Sequence, residues 1–145
     1  MSIRWAKQSG EDAVGKWCLY RNDIGDYMQR WILQTPWGTF RLHHILRSDE
    51  ARALHDHPWD FTSILLTGGY DEILPRADGS EYCVHHPRWS VVRHAAEDQH
   101  RLIVHRPVWT LVWTGPLKRK WGFQIPGQGW TYWRDALACW AGGAR

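Results

Sequence analysis

Short runs of apolar and β-branched residues, broken every few positions by turn formers, dominate residues 31–125. Residues 31–34 and 38–46 flank Thr35-Pro36-Trp37-Gly38, whose proline and glycine set a turn between two strands. A strand over 61–67 follows Pro58 and stops at Gly68-Gly69, and another covers 70–74. Ala77-Asp78-Gly79-Ser80 reads as a hairpin turn into a strand over 81–86. Residues 89–94, 101–105 and 108–114 supply three more strands. Residues 123–125 form a last one before Pro126-Gly127-Gln128-Gly129 breaks the pattern. Elsewhere the pattern changes. Residues 1–30 are mixed, with a weak helical start at Gly10 to Ala13. Residues 47–54 hold helix formers enough for one turn, and 130–141 predicts a short terminal helix. Many short strands at about 8–12-residue spacing predict an all-β chain, either an antiparallel barrel or a double-sheet jelly roll.

Composition narrows this only in places. At 145 residues the chain is expected to be one domain, with its barrel over residues 31–125. Hydrophobic residues at 43% and charged ones at 23% are ordinary globular values, which argues against disorder as the main state. The 12 tryptophans stand out and suit either a wide core or an aromatic-walled cavity. A net charge of +3, spread over the chain, gives no argument for nucleic acid. The one basic run, Lys118-Arg119-Lys120, reads as a solvated loop. No apolar run approaches the length of a membrane span, and residues 1–7 lack the apolar stretch of a signal peptide, so no membrane partner is expected. Cys18, Cys83 and Cys139 form no C-x-x-C pair, which suggests reduced thiols and a cytoplasmic location.

The chemistry concentrates at His55-Asp56-His57-Pro58-Trp59-Asp60, with His100 further on. Histidines one residue apart on a strand share a face, because side chains alternate with a period of two. Two imidazoles with a third from a later strand make a cradle for a divalent transition metal and leave positions open opposite them. His94 has three readings: a fourth ligand, a partner behind a ligand, or a core residue. Asp60 is read first as a turn residue after Pro58, and otherwise as an acceptor that fixes a ligand imidazole. Asp56 should point away from both histidines, into solvent. His43-His44 and His85-His86 each put one imidazole on either face, one buried and one exposed. Arg41, Arg93 and Arg101 offer guanidinium forks for a substrate carboxylate or phosphate, and Tyr70 and Tyr82 offer hydroxyls. Trp109 and Trp113 share one face of their strand and, with Trp121, are expected in the core or a pocket wall.

These residues resemble a known family. His55-x-His57, then Phe61, then Gly68 has the spacing of the first cupin motif, in which the His-x-His pair precedes a glutamate and a glycine. Residues 95–100, ending in His100, are similar to the second motif without its proline and glycine. The likeness covers residues 38–114. It implies a small jelly-roll barrel with a metal in its mouth, held by His55, His57 and His100. The family's glutamate ligand falls on Phe61, which cannot bind metal. Such a three-histidine set looks like that of the thiol dioxygenase branch of cupins. The chain also resembles short, tryptophan-rich cupin-like proteins of bacteria and their phages, through His55 to Phe61, Thr114-Gly115-Pro116, Trp121-Gly122-Phe123, and Gly129-Trp130 with Trp133-Arg134.

Two functions are expected from this. The first is a metal-dependent enzyme acting on a small molecule, with iron(II) favoured and nickel, copper or zinc also suited to three imidazoles. An oxygenase is the leading case, because a facial set of three ligands lets two reactants meet on one ion. The second is a jelly-roll module that binds a small molecule or partner without turnover. The resemblance also implies a homodimer.

Overall fold

The computed structural model describes residues 17–49 and 53–142. The helical start expected at Gly10 to Ala13 lies outside the described residues, as do residues 50–52 of the expected turn over 47–54. No helix forms at 47–49 or at 53 and 54.

Twelve strands and one helix follow in order: β1 (Cys18–Arg21), β2 (Met28–Thr35), β3 (Gly38–Ile45), β4 (Leu54–His55), β5 (Phe61–Leu65), β6 (Tyr70–Pro75), β7 (Glu81–His86), β8 (Val91–His94), β9 (Arg101–Ile103), β10 (Val108–Thr114), β11 (Gly122–Ile125), β12 (Gly129–Tyr132) and α1 (Trp133–Gly142). The terminal helix thus begins three residues later than the sequence pattern suggests, because 129–132 first pairs with β11. The pairings among these strands are antiparallel. One sheet runs β1-β2-β3-β10-β5-β8; two three-stranded sheets run β12-β11-β4 and β7-β6-β9. A reciprocal backbone pair between His55 and His100 joins the last two, with N···O distances of 2.9 and 3.0 Å. The result is a jelly roll with two facing layers.

Register sorts the inner face of the large sheet into rows. Gln34, Thr39, Thr114, Phe61 and His94 lie across from one another, and the next row holds Ile32, Arg41, Val112, Ser63 and Val92. Arg30, His43, Thr110 and Leu65 follow, then Met28, Ile45 and Val108. The barrel therefore has two unlike ends. Met28, Ile45, Leu65, Tyr70, Val104 and Val108 close one end as an apolar plug. Leu65 and Val108 are fully buried there, and burying such side chains stabilises by about 1.5–3 kcal/mol each. The other end is polar inside, with Arg41, Thr39 and Thr114 all buried.

Trp109 and Trp113 do share a face, but it is the outer one. Trp109 stacks between His44 (4.2 Å between centroids) and Trp31 (5.5 Å). Trp121 joins the second core with Phe123 and Ala136 and stacks on Trp133 at 5.6 Å, which seats α1 against β11. Cys18, Cys83 and Cys139 are free thiols. No helix among the described residues is long and apolar enough to cross a membrane.

Candidate metal centre

The His55–His100 backbone pair explains how residues far apart in sequence meet. Residues directly opposite on antiparallel chains put their side chains on the same face. The imidazoles of His55 and His100 are accordingly 4.9 Å apart between centroids. His57, two residues on, returns to that face at 5.1 Å from His55 and 5.0 Å from His100. Its N–H bonds the Ala96 carbonyl at 2.9 Å, which holds the segment after β4 against the turn before His100.

Asp56 lies between the two histidines and points away from them, as alternation requires, but it is buried rather than solvated. It accepts hydrogen bonds from the Gly122 N–H (2.7 Å), the Trp130 indole N–H (2.8 Å) and Arg119 Nη1 (2.5 Å). The Lys118-Arg119-Lys120 run is therefore not simply a solvated loop. Arg119 reaches Asp56, and Lys118 pairs with Asp60. Asp60 also accepts from the Ala96 N–H at 2.9 Å and is partly exposed, so these partners tie the loops together rather than orient His55, His57 or His100.

The nitrogens of the three histidines fall within 4.8 Å of one another. His57 Nε2 and His100 Nε2 are 2.8 Å apart. Two ligands at right angles on a metal with bonds of about 2.1 Å are about 3 Å apart, so this spacing already suits adjacent ligands. His100 Nδ1 donates to Glu72 Oε1, and His55 Nδ1 lies 3.0 Å from Asp49 Oδ2 without hydrogen-bond alignment. A carboxylate behind Nδ1 fixes the tautomer with its proton on Nδ1 and leaves the Nε2 lone pair able to bind a metal, a common arrangement behind metal-bound histidines. Burial, reinforced by the other imidazoles, pushes the pKa of His57 well down. Burial also pulls His100 down to about 4, against the opposing pull of Glu72. Both rings are neutral near pH 7, the form that binds metal. The donor set, its burial and its spacing fit a divalent transition metal.

Glu72 was not singled out by sequence reasoning. It sits on β6, fully buried, and its carboxylate receives His100 Nδ1, His94 Nε2 (2.7 Å) and His86 Nε2 (2.8 Å). Burial alone would raise its pKa, but the hydrogen bonds from His100 and His94 outweigh that and hold it well below the carboxylate range. His94 is shifted in the opposite sense. Burial lowers its pKa, yet Glu72, with Asp98 at 3.5 Å on the other ring nitrogen, raises it overall. Glu72, His94 and His100 form a second group able to hold a metal, overlapping the first at His100. The signal for Glu72 was parity with Tyr70: both face inward from β6.

The other expected residues are spread out. Arg41 is buried on the inner face of β3, its guanidinium 4.3 Å over the Trp59 ring and its Nε 3.4 Å from Thr114 Oγ1. Tyr70 is buried in the apolar plug, with its hydroxyl bonded to Ser63. Arg93 is exposed on the outer face of β8, where it lines a surface depression of about 310 Å³ with Thr62 and Trp113. Arg101 pairs with Glu81 at 2.8 Å, and Tyr82 is exposed beneath Arg76. Phe61, at the glutamate position of the motif, packs on His57 at 4.7 Å and on His94 at 5.1 Å. It walls the cluster with a ring where a carboxylate would bind.

No family model matches the sequence, and no curated protein does. Solved structures match it in shape. Hydroxypropylphosphonic acid epoxidase from S. wedmorenis aligns with a TM-score of 0.55 at 10% identity, over 66% of this chain and 55% of that one. The 7S globulin of Momordica charantia gives 0.59 at 10% identity, over 86% and 42%. A variant of Bacillus subtilis oxalate decarboxylase gives 0.54 at 13% identity, over 69% and 29%. The aligned region spans about half or less of each of those chains. At such identities the likeness is one of fold, and the chain has a jelly-roll barrel of the cupin type.

Proposed function

We propose that this protein is a metal-dependent enzyme acting on a small molecule, with His55, His57 and His100 as the metal ligands. The observation that carries the reading is the pair of neutral, buried imidazoles whose Nε2 atoms face each other at 2.8 Å, with Glu72 behind one of them. A divalent metal in such a set would supply Lewis acidity and adjacent positions for two reactants, which favours iron(II) and an oxygenase. This chain's residues do the rest. Glu72 holds the His100 ring in one orientation, and the Asp56 anchor holds the His55-x-His57 segment. Phe61 gives the cluster an apolar wall that keeps water from it. Support of a general kind comes from the fold: similar structures of the epoxidase, HppE, hold iron(II) in one case and cobalt(II) with substrate in another, at 10% and 11% identity.

The test is anaerobic iron(II) loading followed by nitric oxide, a dioxygen surrogate, with electron paramagnetic resonance as the readout. The reading predicts iron uptake and a high-spin iron–nitrosyl signal, then oxygen consumption with a substrate found by screening. Iron uptake with no nitrosyl signal would instead indicate a closed site and a binding module without turnover. No iron uptake would sink the reading.

A further inference from the structure

We infer that the depression on the outside of the large sheet binds a small aromatic carboxylate, with Trp113 under its ring and Arg93 on its carboxylate. The site is separate from the histidine cluster and does not depend on the metal reading.

Register builds the site. Trp113, Thr62 and Arg93 are direct partners across β10, β5 and β8, so their side chains stand in one row on the outer face. Neighbouring strands lie about 4.8 Å apart, which puts the Trp113 and Arg93 backbones about 10 Å apart with Thr62 between them. All three line the depression of about 310 Å³, a volume that holds a small ligand. Phe61 and His94 alternate with Thr62 and Arg93 and point to the opposite face, into the cluster.

Partners single out this pair. Elsewhere on and beside the face, indole rings have covers of their own. Trp31 meets Arg21 and Trp109, Trp109 also stacks on His44, and Trp89 carries Arg88. Those arginines are engaged a second time, Arg21 by Asp23 and Arg88 by the Leu66 carbonyl. Among the described residues, Trp113 has no ring or cation on its face, and the Arg93 guanidinium has no hydrogen bond or ion pair. Both side chains are exposed.

The indole is held in place before anything binds. A Cβ at Gly38 would come within 2.8 Å of Trp113 Nε1, and one at Gly115 within 3.7 Å of its Cη2. The ring thus lies against a glycine at each end, and such preorganisation lowers the cost of binding. Charge then selects the ligand. Asp60, which also lines the depression, is taken by Lys118 and the Ala96 N–H, and Asp98 accepts from the Ala95 N–H. The guanidinium fork is left for two oxygens of one carboxylate, whose single charge it matches. The Thr62 hydroxyl can donate to one of them. A flat apolar ring stacks on the open indole face. A ligand with both parts spans the row, whereas either part alone fills half of it.

The experiment is isothermal titration calorimetry of the full chain with benzoate and indole-3-acetate. Indole-3-acetamide, which lacks the charge, and acetate, which lacks the ring, are the control probes. At least one aromatic carboxylate is expected to bind about tenfold more tightly than either control. R93Q and W113L should each weaken it about tenfold, while R106Q, at another exposed arginine, leaves it unchanged. Arg93 is exposed, so R93Q tests the site even if W113L disturbs the sheet. Protein stripped of metal and dialysed should give the same affinity. No binding of either aromatic carboxylate at about 10 mM, or equal binding by R93Q, would overturn the inference. So would indole-3-acetamide binding as tightly as indole-3-acetate. Binding that requires metal would place the ligand at the histidine cluster and overturn it as well.

Discussion

Asp56 is the residue on which the ligand segment hangs. It sits between His55 and His57, the two proposed ligands, and its carboxylate accepts hydrogen bonds from Gly122, Trp130 and Arg119. Replacing it with alanine leaves Arg119 facing a buried void and two N–H donors unsatisfied. Arg119 is a third exposed, so water offsets part of the loss. We predict that D56A lowers unfolding free energy by about 2–3 kcal/mol in urea denaturation and weakens metal binding about tenfold. D56A with wild-type metal affinity would show that the anchor does not govern the site. At this scale the sequence foretold which histidines converge. His55, His57 and His100 were legible because alternation and motif spacing report which side chains share a face. Glu72 was not, because it comes from a strand outside the motif and its role depends on which rings fold over it. Arg93 was misleading for a related reason: its residue type suits an oxyanion, but its parity with exposed Val91 sends it outward.

Elements come next. Long strands such as β3 and β10 matched the apolar pattern closely, and β7 spans the expected residues. The short strands β1, β4 and β12 did not show in the pattern, since two to four residues carry too little periodicity and exist through their partners. β4 is the extreme case. Its two residues bring His55 to the site only because β11 pairs with them and His100 closes the other side. β11 in turn depends on Gly122, where an added Cβ would meet the Thr131 carbonyl oxygen at 2.1 Å. We predict that G122A parts β11 from β12, loosens the N–H that Asp56 accepts, and lowers the thermal midpoint; calorimetric melting checks it. A G122A protein that melts like the wild type would mean that β12 can shift without cost. Pairing with β11 is what makes 129–132 a strand rather than the first turn of the terminal helix.

The whole molecule is a barrel with an apolar plug at one end and a polar, histidine-lined interior at the other. The two ends should respond to different perturbations. L65A removes a fully buried side chain from the plug and should cost about 2–5 kcal/mol of stability, with metal affinity nearly unchanged. Chelation should act on the other end. A metal present at a hundred times its dissociation constant adds about 2.7 kcal/mol to a fold that binds it, so removing it should lower the melting midpoint by about 5–10 °C. Equal melting with and without chelator would argue against a bound metal. Strand spacing left an antiparallel barrel or a jelly roll, the family resemblance pointed to the jelly roll, and the likeness to solved structures bears the jelly roll out.

The most direct measurement is the metal content of tag-free protein after anaerobic iron(II) loading, beside the single variants H57A and H94A. The account predicts about one equivalent in the wild type and in H94A, and none in H57A. Metal kept in H57A but lost from H94A would place the ion among Glu72, His94 and His100 and contradict the three-histidine centre.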